Sequence, residues 1–219
     1  MAIILFIITL ISIILALIII FLIFYKFYFL RNPKRVIPVG NNIISPADGK
    51  IVRILEINTN KNPLIKIDKG ILGKVKAAAQ DVDKNCYLIH IMLTPFDVHY
   101  QRAPISGKIL SKAYTKGKFM NAVNNAKSLR CFENENEQIL IQGKIKNKTI
   151  KVKVILIAGA LAKRIVSFVK EKQEIKKGQI ISVIKLGSQV SIILPKSCRL
   201  KIKEGQYVYG GSTIIADVT

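Results

Sequence analysis

The sequence predicts a mainly β protein, a compact β-sandwich or barrel-like domain of short hairpins, preceded by one N-terminal transmembrane helix. Three observations lead to this prediction. The first 24 residues are almost entirely apolar, the remainder consists of short runs in which apolar and polar residues alternate, and turn residues separate those runs. Alternation with a period of two is typical of half-buried strands, whereas helical periodicity is nearly absent after the first run. The 219 residues suffice for one domain and an anchor.

The N-terminal run, Ala2–Phe24, contains no charged residue and only Thr9 and Ser12 as polar interruptions. As a helix it would extend roughly 34 Å, which exceeds the roughly 30 Å hydrocarbon core of a bilayer. A cleavable signal peptide typically has a basic start and a small-residue cleavage site, and this segment has neither. We therefore predict a permanent anchor with its basic flank over residues 1–35 and a β-rich domain over residues 36–219.

Charge is distributed unevenly around the predicted anchor. Lys26, Arg31, Lys34 and Arg35 follow it directly, whereas only the terminal amine precedes it. The positive-inside rule then places the domain on the cytoplasmic side of the cell (inner) membrane. The formal net charge of +22 is carried mostly by lysines, 28 against 7 arginines, which are scattered along the chain. This pattern fits attraction to an anionic membrane surface better than binding to nucleic acid.

Short strand-like runs follow one another through the rest of the chain. The polar stretch from Asn121 to Glu137 is predicted to form exposed loops. The best candidate for a short helix after the anchor is "AGALAKRIVSFVKE", from Ala158, which is predicted to begin as a strand or turn and to continue as a helix. The predicted strands are, in chain order, "GKIVRILEI", "PLIKIDK", "KVKAAAQDV", "CYLIHIML", "GKILSKAY", "QILIQGKIKNKTIKVKVILI" and "QIISVIKL".

Several common kinds of functional site are missing from this sequence. Its three cysteines are far apart and include no Cys-x-x-Cys pair, which is typical of a reducing compartment and not of a disulfide framework. Because there are only two histidines, no metal site is predicted. The sequence also contains no Gly-rich phosphate-binding loop followed by Lys-Ser or Lys-Thr.

Three turn-rich segments carry candidate reactive residues. Asp48 lies in "SPADGK", His99 and Arg102 lie in "LTPFDVHYQRAPISGK", and Gly187-Ser188 interrupts the strand-like "KLGSQVSIILP". A serine hydroxyl becomes a nucleophile when a histidine takes its proton and a carboxylate orients that histidine. The alternative is structural, since Asp-Gly often forms a hairpin turn and Gly-Ser a bulge. His90, flanked by two isoleucines, is predicted to be a core histidine.

Three motifs in this order, "SPADGKI", "TPFDVHYQRAPISGKI" and "GQIISVIKLGSQVSIILP", resemble the phosphatidylserine decarboxylase family in its short, membrane-bound form. The resemblance covers roughly Val36 to Asp217. It implies a proenzyme that cleaves itself at Gly187-Ser188 and converts Ser188 into a covalent N-terminal pyruvoyl group. The large and small chains that result would remain partners, no dissociable cofactor would be needed, and a homodimer stays open.

By this resemblance, Asp48 and His99 match the acidic and histidine members of the self-cleavage relay. Ser188 would attack the Gly187 carbonyl carbon, turn the amide into an ester and then undergo β-elimination to dehydroalanine, which hydrolyses to pyruvoyl and ammonia. The pyruvoyl ketone would act as an electron sink while phosphatidylserine loses carbon dioxide to give phosphatidylethanolamine. Arg102 is a candidate for binding the carboxylate or the phosphate of that substrate.

The sequence departs from the family pattern at a few positions. Some members carry a second histidine three positions after the first, where this chain has Arg102, and arginine is a poor proton donor. Short relatives often have Arg, Phe and Arg where this chain has Lys185, Leu186 and Gln189. Two alternatives stay open: a decarboxylase of another serine phospholipid such as archaetidylserine, and a non-catalytic, membrane-anchored β-domain adaptor.

Overall fold

The computed structural model describes residues 1–60, 69–117, 129–159, 164–185 and 188–219. Helix α1 spans Ala2–Ile23 and continues as a π-helical turn, Phe24–Phe29. Helix α2 spans Lys69–Ala79, and a 3-10 turn spans Arg130–Glu133. The strands are β1 Asn42–Ile44, β2 Gly49–Asn58, β3 Asn85–Leu93, β4 Tyr100–Arg102, β5 Gly107–Thr115, β6 Asn136–Ile145, β7 Lys148–Ala158, β8 Arg164–Ser167, β9 Glu174–Ile175, β10 Ile180–Lys185, β11 Ser188–Pro195, β12 Cys198–Leu200, β13 Tyr207–Val208 and β14 Ile214–Val218.

These strands form one large sheet and two small ones. The large sheet is curled and has eight strands in the order β13-β2-β3-β11-β7-β6-β5-β9. The small sheets have the orders β1-β14-β12 and β4-β10-β8. Neighbouring strands pair in antiparallel fashion throughout, for example β11 with β3 and with β7. The predicted mainly β class is confirmed, and the "GKIVRILEI", "CYLIHIML" and "GKILSKAY" runs are strands β2, β3 and β5.

Strand β11 lies inside the large sheet and is paired along both edges. Every one of its eight residues is buried. Its first residue, Ser188, is opposite Leu93 on β3 and Ala158 on β7. A strand buried on both faces reads as a nearly continuous apolar run, and "SQVSIILP" has this character after its first two residues.

The large sheet separates two apolar clusters. The main cluster includes Val190, Ile192 and Leu194 from alternate positions of β11. Ile193 points the other way, into a smaller cluster that contains Leu88 and the apolar face of α2. Because side chains alternate across a strand, Ser188 shares the main-cluster face with Val190.

Helix α1 has no buried residue, although nearly all of its side chains are apolar. Together with the π-helical turn it forms a 28-residue helix, Ala2–Phe29, that is long and apolar enough to cross a membrane. An exposed apolar surface of this size is unfavourable in water, so the helix fits association with a membrane. The division into an anchor over 1–35 and a domain over 36–219 stays a prediction.

Two predicted elements are wrong in type. The run "KVKAAAQDV", predicted as a strand, belongs largely to α2. Its alanines favour a helix, and Ile71, Val75, Ala78 and Ala79 recur at helical spacing on the face that packs into the smaller cluster. The predicted short helix "AGALAKRIVSFVKE" contains β8 instead, whose β-branched residues pair with β10.

The prediction of exposed loops is also wrong for the part of Asn121–Glu137 that the structure describes. Residues 134–137 are buried, and Asn134 Nδ2 donates to the Ala158 carbonyl at 2.8 Å. Polar residues can be buried when their hydrogen bonds are satisfied by the backbone of a neighbouring strand end, and a polar composition does not reveal this. Residues 118–128 and most of the predicted strand "PLIKIDK" lie outside the described residues.

Candidate active site

Ser188 begins β11 with its side chain buried against the main cluster. Only 1% of the residue is exposed, and its Oγ atom has no hydrogen-bond partner within the described ranges. A buried hydroxyl without a protein partner is uncommon in folded proteins, and it is available for chemistry, for a ligand or for an ordered water. The other predicted member of the cleavage site, Gly187, lies outside the described residues, as does Leu186.

His99 directly precedes β4 and contacts the neighbouring strand β10. Leu93, which ends β3, is paired with Ser188, and the Ile184 N–H donates to the His99 carbonyl at 3.2 Å. The chain from 93 to 99 and the chain from 184 to 188 are thus held together at both ends. This arrangement brings the histidine and the serine to the same end of the large sheet.

The ring of His99 is held with one nitrogen occupied and the other free. Nδ1 lies 2.8 Å from the Asp97 carbonyl oxygen, so Nδ1–H donates and Nε2 carries the lone pair. Nε2 is buried and has no partner in the described part of the chain. Burial lowers the pKa of His99 to about 4, against the opposing effects of the Asp97 carbonyl and carboxylate. At neutral pH the ring is therefore an uncharged base.

His90, the other histidine, lies on the opposite face of the sheet. Its Nδ1 is 2.6 Å from Ser191 Oγ, and Cys131 Sγ is 3.4 Å from its Nε2. Complete burial lowers the pKa of His90 to about 4. Because Ser191 and Ser188 point to opposite faces of β11, His90 cannot serve Ser188, which agrees with its prediction as a core residue.

Asp48 is fixed at the turn before β2 by two hydrogen bonds. Arg35 Nη2 lies 2.6 Å from Oδ2, and the Gly210 N–H donates to Oδ1 at 2.7 Å. Burial raises the pKa of Asp48, whereas the Gly210 amide and Arg35 oppose that rise. The next residue is Gly49, which has a φ of +142°. A side chain is excluded there, because a Cβ would lie 2.3 Å from the Met92 carbonyl oxygen.

Asp48 makes no hydrogen bond to His99 among the described contacts. The atom that orients the ring is the main-chain oxygen of Asp97, whose carboxylate accepts bonds from Thr94 and from the Tyr207 hydroxyl. The Asp97 carboxylate therefore holds the 94–97 turn, and through that turn the ring. The membership of Asp48 in a relay with His99 stays a prediction.

Arg102 lies three residues after His99 and is held by neutral oxygens. Its Nη1 donates to the Gly178 carbonyl at 3.0 Å, and its Nη2 donates to Asn32 Oδ1 at 2.6 Å and to the Pro33 carbonyl at 3.3 Å. It forms no ion pair within the described ranges. Burial and the nearby Arg35 lower its pKa, yet the guanidinium stays charged at neutral pH.

The juxtamembrane segment, Phe29–Arg35, was not among the predicted site residues. Phe29 is fully buried, and its ring centroid lies 3.9 Å from that of His99. Asn32 and Pro33 accept hydrogen bonds from Arg102, and Arg35 bonds to Asp48, so the segment contacts all three of these site residues. Its basic residues indicate only the flank of a membrane anchor, because no sequence signal shows that such a flank folds back onto a site.

Among the described residues, no group of three or more His, Cys, Asp and Glu side chains could hold a metal ion. All three cysteines are buried and free. Burial raises the pKa of the Cys131 thiol to about 12, so that thiol is neutral and unreactive at physiological pH.

Comparison with known proteins identifies the family of the chain. Residues 23–216 match the profile of a family described as phosphatidylserine decarboxylase. A Methanocaldococcus jannaschii protein, provisionally named an archaetidylserine decarboxylase proenzyme, is 40% identical over 190 residues, which cover 86% of this chain and 87% of that protein. Phosphatidylserine decarboxylase proenzymes of Wolbachia pipientis and Carboxydothermus hydrogenoformans are 39% and 38% identical, each over 87% of this chain and over 74% and 78% of their own lengths.

The profile match covers most of the chain, and its range of residues 23–216 includes both the Asp48 turn and Ser188. The three motifs thus occur in one fold that brings their candidate residues to one end of a sheet. The chain belongs to the phosphatidylserine decarboxylase family.

Proposed function

We propose that this chain is a proenzyme of phospholipid biosynthesis that cleaves itself before Ser188 and then decarboxylates phosphatidylserine to phosphatidylethanolamine. The observation that carries the proposal is the buried Ser188 hydroxyl, which has no partner among the described residues, at the end of the sheet where His99 Nε2 likewise has none among them. Membership of the family supports the reaction class. An adaptor has no need of either feature.

His99 is the proposed base of the cleavage. Its Nδ1–H is committed to Asp97, and the low pKa leaves Nε2 unprotonated above pH 4 to 5, so it can accept the proton of Ser188 Oγ. The two atoms are not hydrogen-bonded in this structure, and the transfer requires them to approach to about 3 Å. Phe29 covers one face of the ring and so contributes to the burial that lowers the pKa of His99.

The cleavage itself uses only atoms of the chain and one water molecule. Oγ of Ser188 bonds to the carbonyl carbon of Gly187, and the amide nitrogen leaves with a proton, which converts the peptide bond into an ester. Loss of the Ser188 α-proton then expels the upstream chain as a carboxylate and leaves dehydroalanine. Water adds to the tautomeric imine, and ammonia departs.

The fit of a pyruvoyl group rests on the position of Ser188. Its side chain is buried at the end of the sheet, and its hydroxyl makes no hydrogen bond within the described ranges. Conversion of this hydroxyl-bearing side chain to a ketone would therefore break no described hydrogen bond. The pyruvoyl group supplies a carbonyl that accepts the electrons released when a carboxylate leaves as carbon dioxide. Arg102, which has no acidic partner among the described residues, is proposed to bind the carboxylate or phosphate of the lipid.

The lipid class has two candidates. The bacterial relatives carry the name phosphatidylserine decarboxylase, whereas the archaeal relative carries the name archaetidylserine decarboxylase at a similar identity. The two substrates share the phosphoserine head group and differ in ester or ether linkage to the chains. We propose phosphatidylserine, and an assay that offers both lipids to the mature protein distinguishes them.

We further propose that the domain lies on the cytoplasmic side of the cell (inner) membrane, against an anionic membrane surface, with the large and small chains as permanent partners. The basic residues just after the apolar helix support this orientation. A homodimer remains an open alternative for the assembly. No role in nucleic-acid binding is proposed.

The deciding experiment is intact-mass analysis of the purified chain and of its Ser188→Ala variant. The unmodified chain should yield a 32-residue fragment, Ser188–Thr219, whose N-terminus resists Edman degradation because a ketone has replaced the amine. Ser188→Ala should stay uncut and inactive. Ser191→Ala, a serine of the same strand on the opposite face, should be cut normally. An active, uncut Ser188→Ala protein would refute the proposal.

A further inference from the structure

Phe96 is an aromatic residue of the domain that lies against the apolar helix. Its ring centroid is 6.1 Å from that of Phe24 and 6.4 Å from that of Tyr28, edge to face in both cases. Even so, 64% of Phe96 remains exposed. It is the third residue of the 94–98 loop, defined as Thr94–Val98, which joins β3 to β4.

The positions of Phe24 and Tyr28 along the helix indicate how deep Phe96 lies in a membrane. A 28-residue helix, Ala2–Phe29, is about 42 Å long, roughly 12 Å more than the hydrocarbon core of a bilayer. Its last two turns therefore extend into the head-group region, where aromatic side chains are favoured. Because Phe96 packs beside those turns, it lies at the same depth.

In the 94–98 loop, the backbone carbonyl of Phe96 is hydrogen-bonded by a side chain, as a position at the membrane surface requires. Arg31 Nη2 donates to the Phe96 carbonyl at 2.6 Å, and Nη1 of the same side chain donates to the Tyr28 carbonyl at 2.9 Å. Its guanidinium carbon lies 4.0 Å from the centroid of the Tyr28 ring. The loop carbonyl thus has a partner that does not depend on water, and the arginine is placed where lipid phosphates lie.

We propose that the 94–98 loop is a second membrane contact, in which Phe96 inserts at the boundary between head groups and acyl chains beside the anchor. The proposal deepens the proposed function and rests on it, since it explains how a serine head group reaches the site. Asp97 and His99 follow Phe96 by one and three residues. Insertion of Phe96 therefore places the base at head-group depth without extraction of the lipid.

The chain contains no tryptophan, so Phe96→Trp introduces a single fluorescent reporter. The variant is reconstituted into phosphatidylcholine and phosphatidylglycerol vesicles that carry bromine on the upper acyl chains. We expect bromolipid to quench this tryptophan and aqueous iodide to leave it bright. Tyr114→Trp, at an exposed position of β5, should show the reverse. Quenching of Phe96→Trp by iodide alone would overturn the proposal.

Quenching of Phe96→Trp by neither agent would also overturn it, because that result indicates burial against a second copy of the chain. A second variant tests the consequence for activity. Phe96→Asp should cut itself at the normal rate, since cleavage needs no lipid, but should decarboxylate vesicle-embedded phosphatidylserine on the order of tenfold more slowly. Tyr114→Asp is the matched control and should keep both activities.

These readouts separate failure of this proposal from failure of the proposed function. If the unmodified chain does not cut itself, the proposed function fails, whatever the fluorescence shows. If cleavage is normal and Phe96→Asp keeps full activity on vesicles, only the membrane contact of the 94–98 loop is refuted.

Discussion

The ring of His99 lies between a backbone oxygen that fixes its tautomer and an aromatic ring that shields it from water. Both neighbours act on the same property, the availability of Nε2 as a base. The charged groups that affect its pKa are the carboxylate of Asp97, which raises it, and the guanidinium of Arg31, which lowers it. Burial, the largest effect, outweighs that of Asp97 and acts in the same direction as Arg31, and Phe29 covers one face of the ring.

Replacement of Phe29 by alanine should therefore change the pH dependence of self-cleavage. In the unmodified chain the rate should fall as pH decreases through about 4, where Nε2 gains a proton. Exposure of the ring to water should raise the His99 pKa toward its ordinary value of about 6.5, so that the fall occurs at a higher pH. Cleavage rates of freshly translated protein across pH 3 to 8 measure this shift.

Phe27→Ala is the matched control for this prediction, because Phe27 belongs to the same π-helical turn but is 70% exposed. Its pH profile should match that of the unmodified chain. A slower Phe29→Ala rate with an unshifted profile would mean that Phe29 contributes to stability alone.

Replacement of His99 and replacement of His90 should have different effects on self-cleavage. His99→Ala should accumulate uncut chain, because Ser188 loses the proposed base. His90→Ala should still be cut, although it removes a fully buried side chain that bonds to Ser191 and should lower the thermal midpoint by several degrees. Gel analysis of the two fragments together with a thermal melt tests both statements. Normal cleavage of His99→Ala would exclude it as the base.

At the scale of elements, the juxtamembrane segment links the membrane helix to the site. Arg35 and Asp48 form its most buried ion pair, with 14% and 6% of their side chains exposed. Removal of one partner from a buried pair leaves an uncompensated charge and typically costs about 3 to 5 kcal/mol. The pair also opposes the rise in the Asp48 pKa that burial causes.

Arg35→Met should therefore lower the stability of the chain by a few kcal/mol and slow its maturation. The adjacent Lys34 is exposed, and Lys34→Met should change neither property by more than about 0.5 kcal/mol. Urea denaturation of the uncut Ser188→Ala background, with and without each substitution, measures the difference. Equal stability of the two variants would show that the pair contributes nothing to folding.

The elements also show where sequence patterns suffice. Strand-like runs rich in β-branched residues identified β2, β3 and β5. Of these, β5 places Ile109 in the main cluster alone, whereas β2 and β3 contribute apolar residues to both clusters. The sequence pattern failed for α2, where three consecutive alanines fit either template and only packing against the smaller cluster decides. The candidate residues Asp48, His99 and Ser188 were found from motif order. The contact between Asp97 and His99 is local, whereas the stacking of Phe29 on His99 and the bond from Tyr207 to Asp97 are tertiary contacts, which local sequence does not encode.

At the scale of the whole molecule, the charge of +22 and the single apolar helix together predict an orientation. The basic residues that follow the helix should hold the domain on the cytoplasmic side, since their transfer across the membrane is unfavourable. Protease added to intact spheroplasts should leave the domain undigested, whereas lysed spheroplasts should lose it. Digestion in intact spheroplasts would reverse the predicted orientation.

The position of β11, paired along both edges inside the large sheet, has a consequence for the mature protein. A cut before Ser188 turns the middle of a hydrophobic core into the interface of a heterodimer. Unfolding then becomes dissociation into two molecules, so its midpoint depends on concentration, unlike that of the uncut Ser188→Ala chain. In the proposed mature protein the small chain would supply a central strand, and the large chain could not complete its sheet without it. The proposed cleavage would thereby replace a chain that refolds alone with two chains that must associate in order to refold.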